Sequence, residues 1–144
     1  MTRRPRRPRS QGQGAGLRAL LKVARFNDQG LIPVVIQEAA SGDVLTLCYL
    51  NRAALIRSLT EGNVYVYRRS QGRLMLKGET SGHIQRIREV RVDCEGHSLL
   101  FKVRQRVAAC HAGYVSCYFR RLNRRNRLVT AATRVFDPGT VYRK

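Results

Sequence analysis

Three cysteines stand where a metal could use them. Cys94 follows Asp93, Cys110 adjoins His111, and Cys117 lies six residues past that histidine. Three thiolates near loops, with an imidazole beside one, could bind Zn²⁺ and leave its fourth position open for water, as in a catalytic rather than a structural zinc site. No Cys-x-x-Cys knuckle occurs, so spacing alone leaves three unrelated buried cysteines as the alternative. Cys48 differs: it lies within the apolar run Leu45-Thr46-Leu47-Cys48-Tyr49 and reads as a small buried hydrophobe. A cytosolic setting is expected, which makes disulfides the weaker explanation. A second chemical feature is the loop Lys77-Gly78-Glu79-Thr80-Ser81-Gly82. Its two glycines let backbone approach a ligand closely, while Lys77, Thr80 and Ser81 offer donors to a phosphate.

The elements that must position these residues are mostly strands. Apolar residues at helical spacing (Leu17, Leu20, Leu21, Ala24) predict a helix before Phe26-Asn27. A β-branched run over 31–37, with Pro33 near its start, suits an edge strand. The turn Ser41-Gly42-Asp43 joins it to a strand over 44–50. Asn51 is a good N-cap for a helix stopped by Gly62. The segments 64–67 and 74–76 flank Ser70-Gln71-Gly72 as a second hairpin. An imperfect alternation over 83–92 predicts another strand, and 98–103 and 114–119 are read as the last two. No internal repeat is present. The fold class is α+β, a largely antiparallel sheet with two or three helices.

The formal charge is +19, from 28 Lys and Arg against 9 Asp and Glu. Charge of that size suggests nucleic acid first. Its distribution argues otherwise: residues 1–25 carry +8, residues 118–144 carry +7, and the segment between carries only +4. Residues 1–14 read as a flexible basic tail, 15–121 as the domain, and 122–144 as a basic extension that could hold a short helix with a solvated arginine face. The tails serve either solubility or phosphate binding, and neither interleaves aromatics among its bases as a stacking platform would. No apolar run reaches the ~18–20 residues of a membrane span. The basic N-terminus lacks a following apolar stretch, so secretion is not expected and a cytoplasmic location is.

Several of these motifs, taken in order, carry a resemblance. Phe26-Asn27-Asp28-Gln29-Gly30-Leu31-Ile32-Pro33, then Leu47-Cys48-Tyr49-Leu50-Asn51-Arg52-Ala53-Ala54-Leu55, then the 77–82 loop with Gln85 resemble the first half of phosphoribosyl-AMP cyclohydrolases. Asp93-Cys94, Ala109-Cys110-His111, Gly113, Ser116-Cys117 and Arg120 resemble the second half. The resemblance covers residues 17–121. It implies an obligate homodimer in which Cys94 of one subunit and Cys110 and Cys117 of the other bind a catalytic Zn²⁺. Water activated there would attack adenine C6 of phosphoribosyl-AMP, and the N1–C6 bond would open, a step of histidine biosynthesis. His111 would relay a proton between water and ring nitrogen. The substrate is a purine nucleotide with two phosphate groups. Arg69 and Ser70 match an Arg-Ser pair of the family, with Arg69 the candidate for one phosphate. Lys77, Gly78, Glu79, Thr80, Ser81 and Gln85 complete the implied substrate site, Glu79 as a purine or Mg²⁺ contact.

The chain also departs from the family pattern. Where three carboxylates would hold Mg²⁺, it has Asp93, Glu95 and His97. The added methylene and the imidazole weaken a site meant for a hard cation and make Mn²⁺ or a second Zn²⁺ conceivable. Tyr67 and Met75 stand where the family has tryptophan, Gln71 where it has arginine, and His83 where it has asparagine. Two further functions stay open: a same-fold zinc hydrolase acting on another purine nucleotide, and a non-catalytic relative that binds nucleic acid through its basic tails.

Overall fold

A computed structural model describes residues 12–141. In chain order the elements are α1 (Gly12–Val23), β1 (Leu31–Glu38), β2 (Val44–Asn51), α2 (Arg52–Glu61), β3 (Tyr65–Arg68), β4 (Arg73–Leu76), β5 (Gln85–Val92), β6 (Leu99–Gln105), β7 (Arg120–Leu122), β8 (Leu128–Thr130) and α3 (Pro138–Val141). The main sheet has the order β2-β1-β6-β5, and β3-β4 and β7-β8 are separate hairpins. All pairings are antiparallel except β1 with β6. The α+β class, the mostly antiparallel sheet and the helix count agree with expectation.

Strand period explains the core. Ile32, Val34 and Ile36 of β1 and Leu99, Phe101 and Val103 of β6 turn alternate residues to one buried face. Leu45 and Leu50 of β2 and Ala54 and Leu55 of α2 complete it. The Asn51 side chain accepts from Ala54 N at 2.8 Å, so the expected cap forms, and Gly62 ends the helix. In β5 a bulge falls between Ile87 and Glu89. It brings Ile87 and Val90, three residues apart, onto the same core, which accounts for the imperfect alternation of 83–92.

Four expectations need correction. β1 is a central strand, not an edge. The β6 ladder begins at Val34↔Leu99, one residue past Pro33, so the residue without an N–H precedes the second ladder. Residues 114–119 form no strand. Cys117 N donates to Leu45 O at 2.7 Å and Ser116 Oγ to Val44 O at 2.6 Å, pinning the segment at the start of β2. The arginine-rich segment beyond 120 is a hairpin rather than a helix. Asn123 Oδ1 accepts from Arg125 N and Arg127 N, and Asn126 takes φ 56°, a conformation asparagine tolerates. Finally, α1 begins at Gly12, so the end of the expected 1–14 tail is helical, and the rest of it lies outside the described residues.

Candidate active site

The loop after β4 builds one wall. Glu79 N donates to Leu76 O at 3.0 Å, and Gly82 N to Gly78 O at 2.7 Å, closing the loop on itself. Gly78 has φ +88°, and a Cβ there would lie 2.5 Å from the carbonyl carbon and oxygen of His83. Only glycine permits that close return. Lys77 Nζ then reaches across to Ala109 O at 3.4 Å, tying this loop to the segment that carries Cys110.

The second wall is a tight turn after β6. Gly113 N donates to Cys110 O at 3.1 Å, Cys110 N to Tyr114 O at 3.2 Å, and Ala112 N to Cys110 Sγ at 3.4 Å. His111 is exposed at the tip while Cys110 is buried beneath it. Between the two walls lies a cavity of about 240 Å³. Lys77, Gly78, Glu79, Thr80, Ser81 and His111 all line it, so the expected phosphate loop and the expected proton relay meet. Glu79 also pairs with Arg73 at 3.5 Å.

Three expected substrate residues lie elsewhere. The Arg69 guanidinium stands over the Tyr49 ring at 4.6 Å and, like Ser70, is not part of the cavity wall. Gln85 is wholly buried, its Nε2 donating to Gln105 Oε1 at 2.6 Å. Gln105 Nε2 in turn donates to the carbonyls of His83 and Ala108, so Gln85 supports both walls from behind.

The thiols divide into two groups. Burial pushes the Cys117 thiol up, the Thr46 hydroxyl lowers it, and the neighbouring Cys110 raises it further. Cys94 is exposed in the β5–β6 turn. That turn precedes β6 and Cys110 follows it, and seven strand residues span on the order of 20 Å. Zinc–sulfur bonds are about 2.3 Å, so one chain does not bring the three thiols together. Among the described residues no group of three or more His, Cys, Asp or Glu side chains could hold a metal within the chain.

A sequence model of the family described as phosphoribosyl-AMP cyclohydrolase matches residues 46–119. That span contains both cavity walls and all four cysteines. The chain belongs to the phosphoribosyl-AMP cyclohydrolase family. Among curated relatives, the phosphoribosyl-AMP cyclohydrolase of Pelotomaculum thermopropionicum is 43% identical over 120 residues, 83% of this chain and 93% of that protein. The Haloquadratum walsbyi enzyme of the same name is 47% identical over 118 residues, 82% of this chain and 86% of that protein. A histidine biosynthesis bifunctional protein of Thermoanaerobacter pseudethanolicus is 43% identical over 123 residues, 85% of this chain and 56% of its own length.

In this cyclohydrolase-family chain the residues proposed for Mg²⁺ are engaged with one another. Asp93 Oδ1 accepts from Glu95 N and His97 N, and Asp93 Oδ2 from Ser98 Oγ at 2.6 Å. The Ser98 hydroxyl and those turn amides hold the Asp93 carboxyl below its usual range. His97 Nδ1 lies 3.1 Å from Glu95 Oε2. Asp93, Glu95 and His97 therefore do not form an oxygen cage for a hard cation within the chain.

Sequence reasoning missed several wall residues. Cys48 is half-buried and packs against the core as expected, but it also lines the cavity, its thiol raised by burial and lowered by Lys77. The Thr46 hydroxyl lowers both the Cys48 and the Cys117 thiols, and the two-residue strand spacing from Thr46 to Cys48 was the available signal. Tyr49 and Arg68 also line the cavity, and so do Tyr67, Met75 and His83, three of the positions that depart from the family pattern. Burial and the Arg106 charge push the His83 imidazole down, against the opposing pull of the Ala108 carbonyl. Among the described residues no helix is long and apolar enough to cross a membrane.

Proposed function

We propose that this chain hydrolyses the N1–C6 bond of the adenine ring of phosphoribosyl-AMP, in histidine biosynthesis, as a zinc-loaded cytoplasmic homodimer. The observation that carries this reading is the convergence of residues 77–81 and His111 on one cavity in a chain of this family. Lys77, Thr80 and Ser81 bind phosphate, and Arg68 adds a second cation at the wall. Tyr49 and Tyr67 supply aromatic surface at the wall for the purine. The His111 imidazole takes a proton from the attacking water and returns it to N1 as the bond breaks. Cys110 and Cys117 of one chain, with Cys94 of the partner, would hold zinc, which when bound lowers the pKa of water to about 7.

Three features support the homodimer. The three thiols cannot meet within one chain, and a cavity of about 240 Å³ is small beside the roughly 300–1,000 Å³ of ligand sites. The edge strand β2 exposes Val44 and Leu47, apolar surface a second copy would cover. The test is metal analysis of the purified chain at its native size, followed by a phosphoribosyl-AMP turnover assay with and without added Mg²⁺ or Mn²⁺. Zinc near one per chain with turnover is expected. A zinc-loaded dimer without turnover would sink the proposal.

A further inference from the structure

The chain beyond the β7–β8 hairpin lies past the family match of 46–119, yet it returns to the cavity. Arg134 Nε donates to Ala112 O at 2.9 Å, and Val135 N donates to Gly113 O at 2.7 Å. Both acceptors belong to the turn that carries His111. The Arg134 guanidinium also stands over the Tyr114 ring at 5.5 Å, and Tyr114 stacks on Phe119 with centroids 3.8 Å apart. Gly113 has φ +98°, and a Cβ there would lie 2.5 Å from Phe136 O, so turn and segment meet backbone to backbone. On the opposite wall, the Phe136 ring meets the His83 imidazole edge to face, centroids 4.9 Å apart and planes 77° apart.

One short segment thus touches both walls without lining the cavity. We infer that residues 134–136 are positioning residues of the active site: Arg134 and Val135 brace the turn that aims His111, and Phe136 sets the His83 ring at the wall. The physical reason is that the turn's own bonds engage Cys110 N, Gly113 N and Ala112 N, whereas the Ala112 and Gly113 carbonyls are held by this segment. An exposed imidazole at the tip of a short turn needs such outside bonds, because an error of about 1 Å in a reacting group can cost roughly 100-fold in rate. The inference rests on the reaction proposed above.

The test uses the full chain with Arg134→Ala, Phe136→Ala, Phe136→Tyr and, as a control in the β7–β8 turn, Arg125→Ala. In Arg134→Ala, kcat falls by roughly tenfold or more with KM within about threefold, because the lost bond aims a reacting group rather than binding substrate. Phe136→Ala raises KM by roughly tenfold, and Phe136→Tyr, which keeps the ring, restores it. Hydrogen exchange of residues 109–117 quickens in Arg134→Ala while β1, β2 and β6 keep their protection. Kinetics within twofold of the unaltered chain in both alanine variants, with unchanged exchange over 109–117, would overturn the inference. So would exchange that rises equally in β1, β2 and β6. If the unaltered chain proved inactive on phosphoribosyl-AMP, the assigned reaction would fall, and exchange over 109–117 would alone decide the bracing role.

Discussion

The division of the thiols between the two ends of β6 makes a sharp prediction about mixed dimers. Cys94→Ala removes one proposed zinc ligand and Cys110→Ala another, so either homodimer lacks a complete site. Loss of a second-shell partner already costs about 10–100-fold at metal centres, so loss of a direct ligand should cost at least that much. In a hybrid carrying one copy of each variant, two sites can be drawn. One combines both substitutions and is dead. The other takes Cys94 from the Cys110→Ala chain and Cys110 with Cys117 from the Cys94→Ala chain, and is intact. A hybrid isolated by two different affinity tags should therefore regain about half the turnover and half the zinc of the unaltered dimer. Were all three ligands supplied by one chain, neither subunit of the hybrid would hold a complete set. The assay is zinc content and phosphoribosyl-AMP turnover of the two parents and the hybrid, at matched concentration. A hybrid as inactive as its parents, or a fully active parent, would refute the β6 argument.

Gly78→Ala should lower kcat/KM by roughly 100-fold, since the left-handed backbone costs about 1–2 kcal/mol and the loop must also move off His83. Gly82→Ala, with φ +75° and nothing within 4 Å of its Cβ, should stay within about threefold; equal losses would remove the close-approach argument. Ser58 is fully buried, donates to Ala54 O at 2.7 Å and accepts from Tyr65 N at 2.9 Å. Its replacement by alanine should cost about 1–3 kcal/mol in denaturant unfolding, and a neutral result would contradict that bonding. The Tyr65 hydroxyl, and then Arg57, hold the Glu61 carboxyl below its usual range. Its contribution is thus present above about pH 4, the ordinary carboxylate range, and is lost as pH falls through the lowered folded value. The stability gap between the unaltered chain and Glu61→Gln should close in acid, and a gap constant with pH would count against the pairing.

Elements with local signals were legible in the sequence. Asn51 and Gly62 bracket α2, and glycine or serine turns punctuate both early hairpins, because caps and turns act within a few residues. Long-range pairing was not. The centrality of β1 depends on β6, more than sixty residues later, and nothing around Pro33 encodes that partner. The 114–119 segment has strand composition but no strand to pair with; its bonds go to the β2 carbonyls of Val44 and Leu45. In the site, contiguous motifs survived folding: residues 77–81 line the cavity as a unit. Isolated residues did not. Gln85 comes just after the 77–82 loop and Arg69 before it, but the start of β5 buries one and the β3–β4 turn sends the other over Tyr49.

Electrostatics within the cavity can now be separated from the +19 of the whole chain. Its wall carries Arg68, Lys77 and Glu79, and Arg73 pairs with Glu79 from outside. The wall is therefore net positive by very few groups, which suits a substrate with two phosphates without drawing on the basic flanks. A charge lining a concave wall acts on a ligand at a few ångströms, whereas arginines of the β7–β8 hairpin act through water and are screened over about 8–10 Å at physiological salt. Phosphate affinity should accordingly follow Lys77 and Arg68, and the flanking charge should govern only the rate at which an anion arrives.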